Sequence, residues 1–323
     1  MIEINHLVKK YGQNYAINDI SFSVDEGEVV GFLGPNGAGK STTMNILTGY
    51  LSATGGSAKI AGIDILENPM EAKRHIGFLP EHPPLYPDMT VKEYLNFVYN
   101  LKKCSLNRKA HLAEICSVIK IEDVYPRPIS HLSKGYRQRV GIAQALIGNP
   151  DVLIFDEPTV GLAPKQIIEI RNLITGLGKK HTIILSSHIL PEVQAVCGRI
   201  VIINKGKIVA DAKTGELDVL TGARKLLAKI TGNPANVQRM LSAIPGVTAC
   251  EALSEKDGDA FTYLIESQND VDIRKMLFRK IAESGSFLIG LEPVGTNLED
   301  VFIALTGAPG DAPGEPESKG GER

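Results

Sequence analysis

Aromatic residues, cysteine and net charge are all scarce in this 323-residue sequence. It has no tryptophan, and its four cysteines (Cys104, Cys116, Cys197 and Cys250) lack the CxxC spacing of metal or redox motifs. We therefore expect free thiols in a reducing compartment. The formal net charge is -2, so the sequence has no excess of basic residues of the kind that proteins use to bind nucleic acid nonspecifically. Because no window approaches about 18 uninterrupted apolar residues, we expect no membrane-spanning helix.

A glycine-rich segment is the clearest motif that is present. GPNGAGKS, at Gly34–Ser41, matches the pattern GxxxxGK(S/T) and lies between a strand-like run and a helix-like run, the context that this pattern requires. Glycines let backbone N–H groups turn toward phosphate oxygens, and the following helix adds the positive end of its dipole. Lys40 would bring a cation to the β- and γ-phosphates, and the Ser41 hydroxyl would bind Mg²⁺. The residues predicted to bind the nucleotide phosphates are Gly34, Pro35, Asn36, Gly37, Ala38, Gly39, Lys40, Ser41 and Thr42.

Acidic side chains follow a second short apolar run, VLIFDEPT. Asp156 ends this predicted strand, where its carboxylate can hold the metal through water. Glu157 is one residue further and can orient or deprotonate the water that attacks the γ-phosphate. A strand-end carboxylate can instead cap the next helix, and a lone histidine such as His188, at the end of TIILSSH, is commonly structural. Because the sequence also contains the phosphate loop and the acidic segment, we interpret Glu157 and His188 as catalytic.

A third segment, LSKGYRQRVGIAQAL at 132–146, begins a predicted helix with a serine and a glycine but has no complete site of its own. The phosphate loop, LSKGY and FDEPT, in this order, make residues 1 to about 215 resemble the ATP-binding subunit of an ABC transporter. The resemblance implies that Ser133 and Gly135 face ATP held by a second cassette. Two chains would then pair head to tail around two nucleotides.

The resemblance also implies roles for residues outside the three motifs. Tyr11, in KKYG, matches the aromatic residue that stacks on adenine, although a strand-end aromatic is often structural. Glu81 stands where the family usually has Gln and is expected to sense Mg²⁺ and the attacking water. Ala163 replaces an Asp that ties the two subunits together, which predicts weaker coupling with hydrolysis retained. Lys134 and Tyr136 stand where Gly and Gln are more common.

Local patterns predict several elements. Alternation of apolar residues favours strands over 2–8 and 20–24 and a further strand at AKIAGIDI. Thr90, followed three residues later by Glu93, predicts a helix start with a capping box. Pro164 fits the first turn of a helix at APKQIIEIRNLITGLGKK.

At a larger scale, the order of elements predicts an α/β fold. A P-loop NTPase cassette of the ABC type, with a mixed, mostly parallel sheet, is expected over 1–217, with a helical insertion near 85–145. The order β-α-β-β-α-β predicts a small C-terminal α+β domain of the ferredoxin-like kind over 218–306, which ends with a short helix at NLEDVFIALTG. The tail at 307–323 is rich in Pro, Gly and charge, so we expect it to be disordered.

The resemblance implies an enzyme that binds and hydrolyses ATP with Mg²⁺ and drives a separate membrane permease of the export type, linked to drug efflux, polysaccharide export or gliding motility. Its partners would be a second cassette, in a homodimer, and membrane subunits that dock beside HPPLYPDMTVKEYL, with no nucleic acid. The protein would be cytoplasmic, on the inner face of the cell membrane. Two alternatives stay open: an ATP-gated dimerising clamp with little turnover, favoured by Ala163 and Glu81, and a soluble ABC protein acting on DNA or ribosomes, which the single cassette disfavours.

Overall fold

The computed structural model describes residues 1–214, 223–268 and 271–294 of the chain. The chain divides into two compact units, and the boundary in the sequence lies between Thr214 and Gly215. Each unit has its own hydrophobic core. The predicted helix NLEDVFIALTG and the predicted disordered tail lie outside the described residues. All four cysteines are free, as predicted.

Ten strands in two sheets form the framework of residues 1–214. The strands are β1 (Ile2–Tyr11), β2 (Asn14–Val24), β3 (Val29–Leu33), β4 (Gly55–Ile60), β5 (Ile63–Asp64), β6 (Ile76–Leu79), β7 (Val152–Asp156), β8 (Thr182–Ser187), β9 (Arg199–Asn204) and β10 (Lys207–Lys213). The larger sheet has the order β10-β9-β3-β8-β7-β6, and only the β10–β9 pair is antiparallel, which confirms the predicted mixed sheet. A second sheet, β2-β1-β4-β5, is antiparallel throughout and was not predicted.

Strand boundaries in this second sheet differ from the prediction. Strands β1 and β2 are longer than the predicted 2–8 and 20–24 because they pair with each other almost to the turn between Tyr11 and Asn14. The predicted single strand AKIAGIDI is two strands. Ala61 and Gly62, with φ of 51° and 79°, form a tight turn that reverses the chain between β4 and β5.

Seven α-helices accompany these strands. They are α1 (Lys40–Leu47), α2 (Pro69–Ala72), α3 (Val91–Leu101), α4 (Arg108–Ile119), α5 (Lys134–Leu146), α6 (Pro164–Leu177) and α7 (Leu190–Gln194). Every residue of β7 and of β8 is buried, as expected for strands covered on both faces. Apolar residues of both sheets and of α1 form the main core, in which the rings of Phe22 and Phe32 stack with centroids 5.4 Å apart.

Two helix starts follow the sequence prediction. The Glu93 N–H donates to Thr90 Oγ1 (3.2 Å) and the Thr90 N–H donates to Glu93 Oε2 (2.8 Å), so the predicted capping box at the start of α3 is confirmed. The bond from the Thr90 backbone is the main reason why the pKa of Glu93 lies below its ordinary value. Pro164 is in the first turn of α6, as predicted. Helices α3, α4 and α5 form the predicted helical insertion, in which both α3 and α4 contact α5.

The second unit has the predicted β-α-β-β-α-β order. Its elements are β11 (Ala223–Thr231), α8 (Pro234–Ser242), β12 (Val247–Asp257), β13 (Ala260–Gln268), α9 (Arg274–Glu283) and β14 (Leu288–Val294). The antiparallel sheet order β12-β13-β11-β14 confirms the ferredoxin-like arrangement. Side chains of β11 meet Leu241 of α8 and Leu277 of α9 in a separate core. Across the described parts of both units, no helix has the length and apolarity needed to cross a bilayer.

Candidate functional site

The phosphate loop joins β3 to α1 at the carboxyl end of the larger sheet. Gly39 is the residue before the first turn of α1 and has a φ of 113°. A Cβ at this position would lie 2.5 Å from the Ala16 carbonyl oxygen, so a larger residue would require the backbone to move. The loop therefore delivers a helix N-terminus, whose first N–H groups have no intrahelical partners and attract anions.

A cavity of about 370 Å³ lies against this loop. Its volume is in the range of small-molecule sites. The lining residues are Ala16, Asn36, Gly37, Gly39, Lys40, Ser41, Thr42, Glu81, Glu157, Val160 and His188. The structure thus brings most of the predicted phosphate-binding residues, both predicted catalytic residues and Glu81 to one space. Gly34, Pro35 and Ala38 belong to the loop but do not line the cavity, whereas Ala16 and Val160 line it and were not predicted.

The Lys40 side chain is buried beside this cavity. Its ammonium donates to the carbonyl oxygens of Gly34 (2.7 Å) and Pro35 (3.3 Å) and lies 3.4 Å from Glu157 Oε1. The cation is therefore held between the loop backbone and one carboxylate, at the wall of the cavity. This position suits the charge of a bound phosphate.

The side chains predicted to hold the metal are in contact. The Ser41 hydroxyl donates to Asp156 Oδ1 (3.2 Å), and the same oxygen accepts a hydrogen bond from the Ser186 hydroxyl (2.5 Å). One hydroxyl and one carboxylate fit Mg²⁺, which takes oxygen ligands and commonly keeps waters and substrate phosphates in its shell. Within the described residues no three His, Cys, Asp or Glu side chains form an all-protein metal cluster. Ser41 and Asp156 therefore suit a metal ion whose remaining ligands come from a nucleotide and water.

Glu157 and His188 are hydrogen-bonded at the edge of the cavity, with His188 Nδ1 2.9 Å from Glu157 Oε2. Glu157 is 7% exposed and has a φ of 47°, which is uncommon for a residue with a Cβ. Its N–H donates to Ser186 Oγ (2.9 Å), which fixes this unusual turn. As a result the two consecutive carboxylates have different partners: Asp156 contacts Ser41, whereas Glu157 contacts Lys40 and His188.

A second polar bridge connects the segments that carry Glu157 and His188. The Thr159 hydroxyl donates to the carboxylate of Glu192, which lies in α7, four residues after His188. The other carboxylate oxygen of Glu192 lies 3.9 Å from a guanidinium nitrogen of Arg171. Sequence reasoning missed this bridge because Glu192 is 33 positions from Thr159 and belongs to none of the three motifs.

Ser133 and Gly135 lie outside the phosphate-loop cavity of their own chain. Ser133 precedes the first turn of α5, and its Oγ accepts a 3.4 Å hydrogen bond from the Tyr136 N–H. Gly135 faces the amide of Gln166, since a Cβ there would lie 2.5 Å from Gln166 Nε2. Further along α5, buried Gln138 donates to the Pro158 carbonyl oxygen at 2.9 Å. This bond ties the helix to the FDEPT segment.

Tyr11 and Ala163 also lie outside the cavity lining. Tyr11 ends β1, is 50% exposed and has the Lys9 ammonium 5.4 Å from its ring centroid. Ala163 precedes the first turn of α6 without a side-chain cap, and its N–H donates to Gln166 Oε1 (3.3 Å). The roles assigned to both residues remain predictions.

Comparison with known proteins adds independent findings. The family profile described as ABC transporter matches residues 17–160. The chain is 32% identical over 315 residues to the daunorubicin/doxorubicin resistance ATP-binding protein DrrA of Streptomyces peucetius, which spans 96% of this chain and 93% of DrrA. It is 36% identical over 213 residues to the bacitracin transport ATP-binding protein BcrA of Bacillus licheniformis, which spans 65% of this chain and 69% of BcrA.

Among solved structures, the chain is similar to the dimeric ATP-binding cassette MJ0796 in a post-hydrolysis state bound to ADP and Pi. The TM-score is 0.60 at 26% identity, and the match covers 66% of this chain and 99% of that one. The family match, a relative aligned over nearly the whole chain and the shared fold agree. This chain belongs to the ATP-binding subunits of ABC transporters, which are ATPases.

Proposed function

We propose that two copies of this chain pair head to tail, hydrolyse ATP with Mg²⁺ at two shared sites, and drive export through a separate membrane permease. One observation carries this proposal: within residues 1–214 the phosphate-loop cavity and the Ser133–Gly135 turn are separate. The cavity has groups that suit phosphate binding and water activation but lacks the serine-glycine turn. In a two-fold pair, each copy supplies that turn to the other.

Four residues that line the cavity, together with Asp156 beside it, have a proposed part in the reaction. Lys40 neutralises the β- and γ-phosphates, and Glu157 orients the attacking water and accepts its proton. His188 positions the Glu157 carboxylate through their 2.9 Å contact. Ser41 and Asp156 would hold Mg²⁺, which when bound supplies positive charge to the phosphate oxygens.

Two relatives support the assignment to export, because their names refer to daunorubicin/doxorubicin resistance and bacitracin transport. We place the permease contact at the aromatic cluster of Tyr86, Tyr94 and Phe97, in and after HPPLYPDM. The Tyr86 ring centroid lies 6.1 Å from that of Tyr94 and 5.5 Å from that of Phe97. Tyr86 and Phe97 are 50% and 37% exposed, so the cluster presents apolar surface to a partner. The chain would then act at the inner face of the cell membrane.

A complementation experiment tests the shared site. Lys40→Ala removes the phosphate cation, and Gly135→Asp places a carboxylate in the serine-glycine turn, so each purified variant alone should lack ATPase activity. In a one-to-one mixture, half of the dimers contain one intact composite site, and the activity should recover to at most about a quarter of the wild-type rate, the value for two independent sites.

ATP binding is the control for Gly135→Asp. This variant should bind ATP as wild type does, because its own phosphate loop is unchanged. If both variants fold, exchange subunits and show no recovery on mixing, the shared-site proposal is wrong.

The alternative, an ATP-gated clamp with little turnover, is favoured by the absence of a carboxylate at Ala163. Steady-state phosphate release separates the two proposals. An ATPase should lose its turnover in Glu157→Gln, whereas a clamp should release little phosphate with either residue.

A further inference from the structure

The two helices of the second unit carry an unbalanced set of charges. Residues 223–294 contain nine basic and nine acidic residues. Five of the basic residues but only one of the acidic residues, Glu283, belong to α8 and α9. Basic side chains are therefore concentrated on the two helices, within a segment, 223–294, whose total charge is balanced.

Among the described residues, two of these five cations have a carboxylate partner and three do not. Arg274 pairs with Asp272 (2.8 Å), and Lys280 pairs with Glu283 (3.0 Å). The remaining three cations are exposed and make no ion pair with any described residue; they are Arg239, Lys275 and Arg279. Their charge is therefore available to an external anion.

An aromatic side chain lies beside two of these cations, Lys275 and Arg279. Phe278 is 62% exposed, although the neighbouring Leu277 is fully buried in the core of the unit. Because α9 buries Leu277 and Ile281, its opposite face presents Lys275, Phe278 and Arg279 outward. These three residues line one shallow depression on the surface of the helix.

We propose that the face formed by α8 and α9 binds the surface of an anionic lipid bilayer. Lys275, Arg279 and Arg239 would contact headgroup phosphates, and Phe278 would enter the boundary between headgroups and acyl chains. Cations flanking an exposed aromatic side chain are complementary to this layered surface. Duplex nucleic acid is the less suitable polyanion, because it offers no apolar layer for the exposed Phe278 ring. The inference does not depend on the proposed export function.

Vesicle flotation of the full chain tests the proposal. The probes are vesicles of phosphatidylcholine alone and vesicles that also contain phosphatidylglycerol, each at low and high salt. We expect binding only to the anionic vesicles, with loss of binding at high salt. The double variant Lys275→Gln with Arg279→Gln should bind about 25-fold more weakly, because each cation near an anionic surface contributes about a factor of five to affinity. Phe278→Ser should bind more weakly while its salt dependence remains.

The matched control is Lys179→Gln with Lys180→Gln, which removes the same charge from two exposed lysines of the first unit. It should bind vesicles as wild type does, and all variants should have wild-type melting temperatures. Equal binding by the two double variants would overturn the proposal, as would equal binding to neutral vesicles. Binding to duplex DNA, lost in the α9 double variant and accompanied by no vesicle binding, would assign the face to nucleic acid instead.

Discussion

In the phosphate-loop half of the proposed site, Asp156, Glu157 and Ser186 are each less than a tenth exposed and are joined by hydrogen bonds of 2.5 and 2.9 Å. In the other half, Ser133 makes a single long cap bond at the start of α5. One half is rigidly prearranged within a single chain, and the other is a helix start that needs a ligand or a partner to satisfy its donors. From this difference we expect pairing, rather than arrangement of the chemical groups, to limit the ATPase activity of the isolated chain.

The largest change should come from Glu157→Gln, which keeps the shape of the prearranged half but removes its base. ATP hydrolysis should fall by on the order of 100- to 10,000-fold, while ATP binding remains because Lys40 is unchanged. With ATP present, the variant should accumulate as a dimer in light-scattering measurements. The control is Glu71→Gln, an exposed glutamate of α2. Wild-type turnover in Glu157→Gln would remove this residue from the mechanism.

Next in size should be Thr159→Val, which tests whether the prearrangement depends on the bridge to Glu192. Losing this bridge should let the Glu157 and His188 segments shift. We expect kcat to fall roughly tenfold with little change in KM, and the pH profile of kcat to shift. Thr159→Ser, which restores the hydroxyl, should recover the rate.

The matched control for Thr159→Val is Thr182→Val. It removes another buried hydroxyl, which accepts a 2.9 Å hydrogen bond from the Gly27 N–H away from the cavity. Both variants should lose about 1 kcal/mol of unfolding free energy. If they also lose the same amount of kcat, the bridge has only a structural role.

A smaller effect is expected from Ala163→Asp, which lies outside the phosphate-loop half of the proposed site. Ala163 has the extended backbone of a residue that caps a helix (φ -69°, ψ 152°) but no side chain to accept the free N–H groups of α6. Aspartate should raise the free energy of unfolding by about 1 kcal/mol, measured by urea denaturation. If this position also couples two subunits, the ATPase rate should rise; an unchanged rate would limit its role to the helix cap.

The smallest expected effect is a difference in alkylation rate among the four cysteines, which differ in burial and lie in both units. Burial raises the pKa of Cys116 and of Cys250 to about 11 and also raises that of Cys197. Little thiolate forms at these positions at pH 8, so alkylation by iodoacetamide should be slow. Partly exposed Cys104 should react first, which peptide mass spectrometry would detect. Faster labelling of Cys197 would show that the first unit opens locally.

Elements whose signals are local were well predicted. The capping box at Thr90 and Glu93, and Pro164 in the first turn of α6, require only neighbours in the chain. The same holds for the phosphate loop, where glycines and Lys40 lie within eight residues. Even the strand order of the second unit followed from its β-α-β-β-α-β sequence, because that order leaves few ways to close a sheet.

Features that join distant segments could not be predicted. Nothing near Ser186 in the sequence indicates that its hydroxyl bonds Asp156 and receives the Glu157 N–H. The positive φ of Glu157 is set by these tertiary contacts, since glutamate itself does not favour that conformation. The antiparallel sheet was missed for a similar reason: its central pairing, between β1 and β4, spans the phosphate-loop and α1 segments of the chain.

The hydrogen bond from Gln138 to the Pro158 carbonyl gives the proposed pair a form of communication. Ser133, just before α5, would contact the neighbour's nucleotide, while Gln138 inside α5 is hydrogen-bonded to Pro158, the residue after this chain's own Glu157. A shift of α5 on binding the neighbour's triphosphate would therefore move the carboxylate of Glu157 in the same chain. Nucleotide binding at one site would then change the geometry of the second site, and hydrolysis at the first would reverse that change.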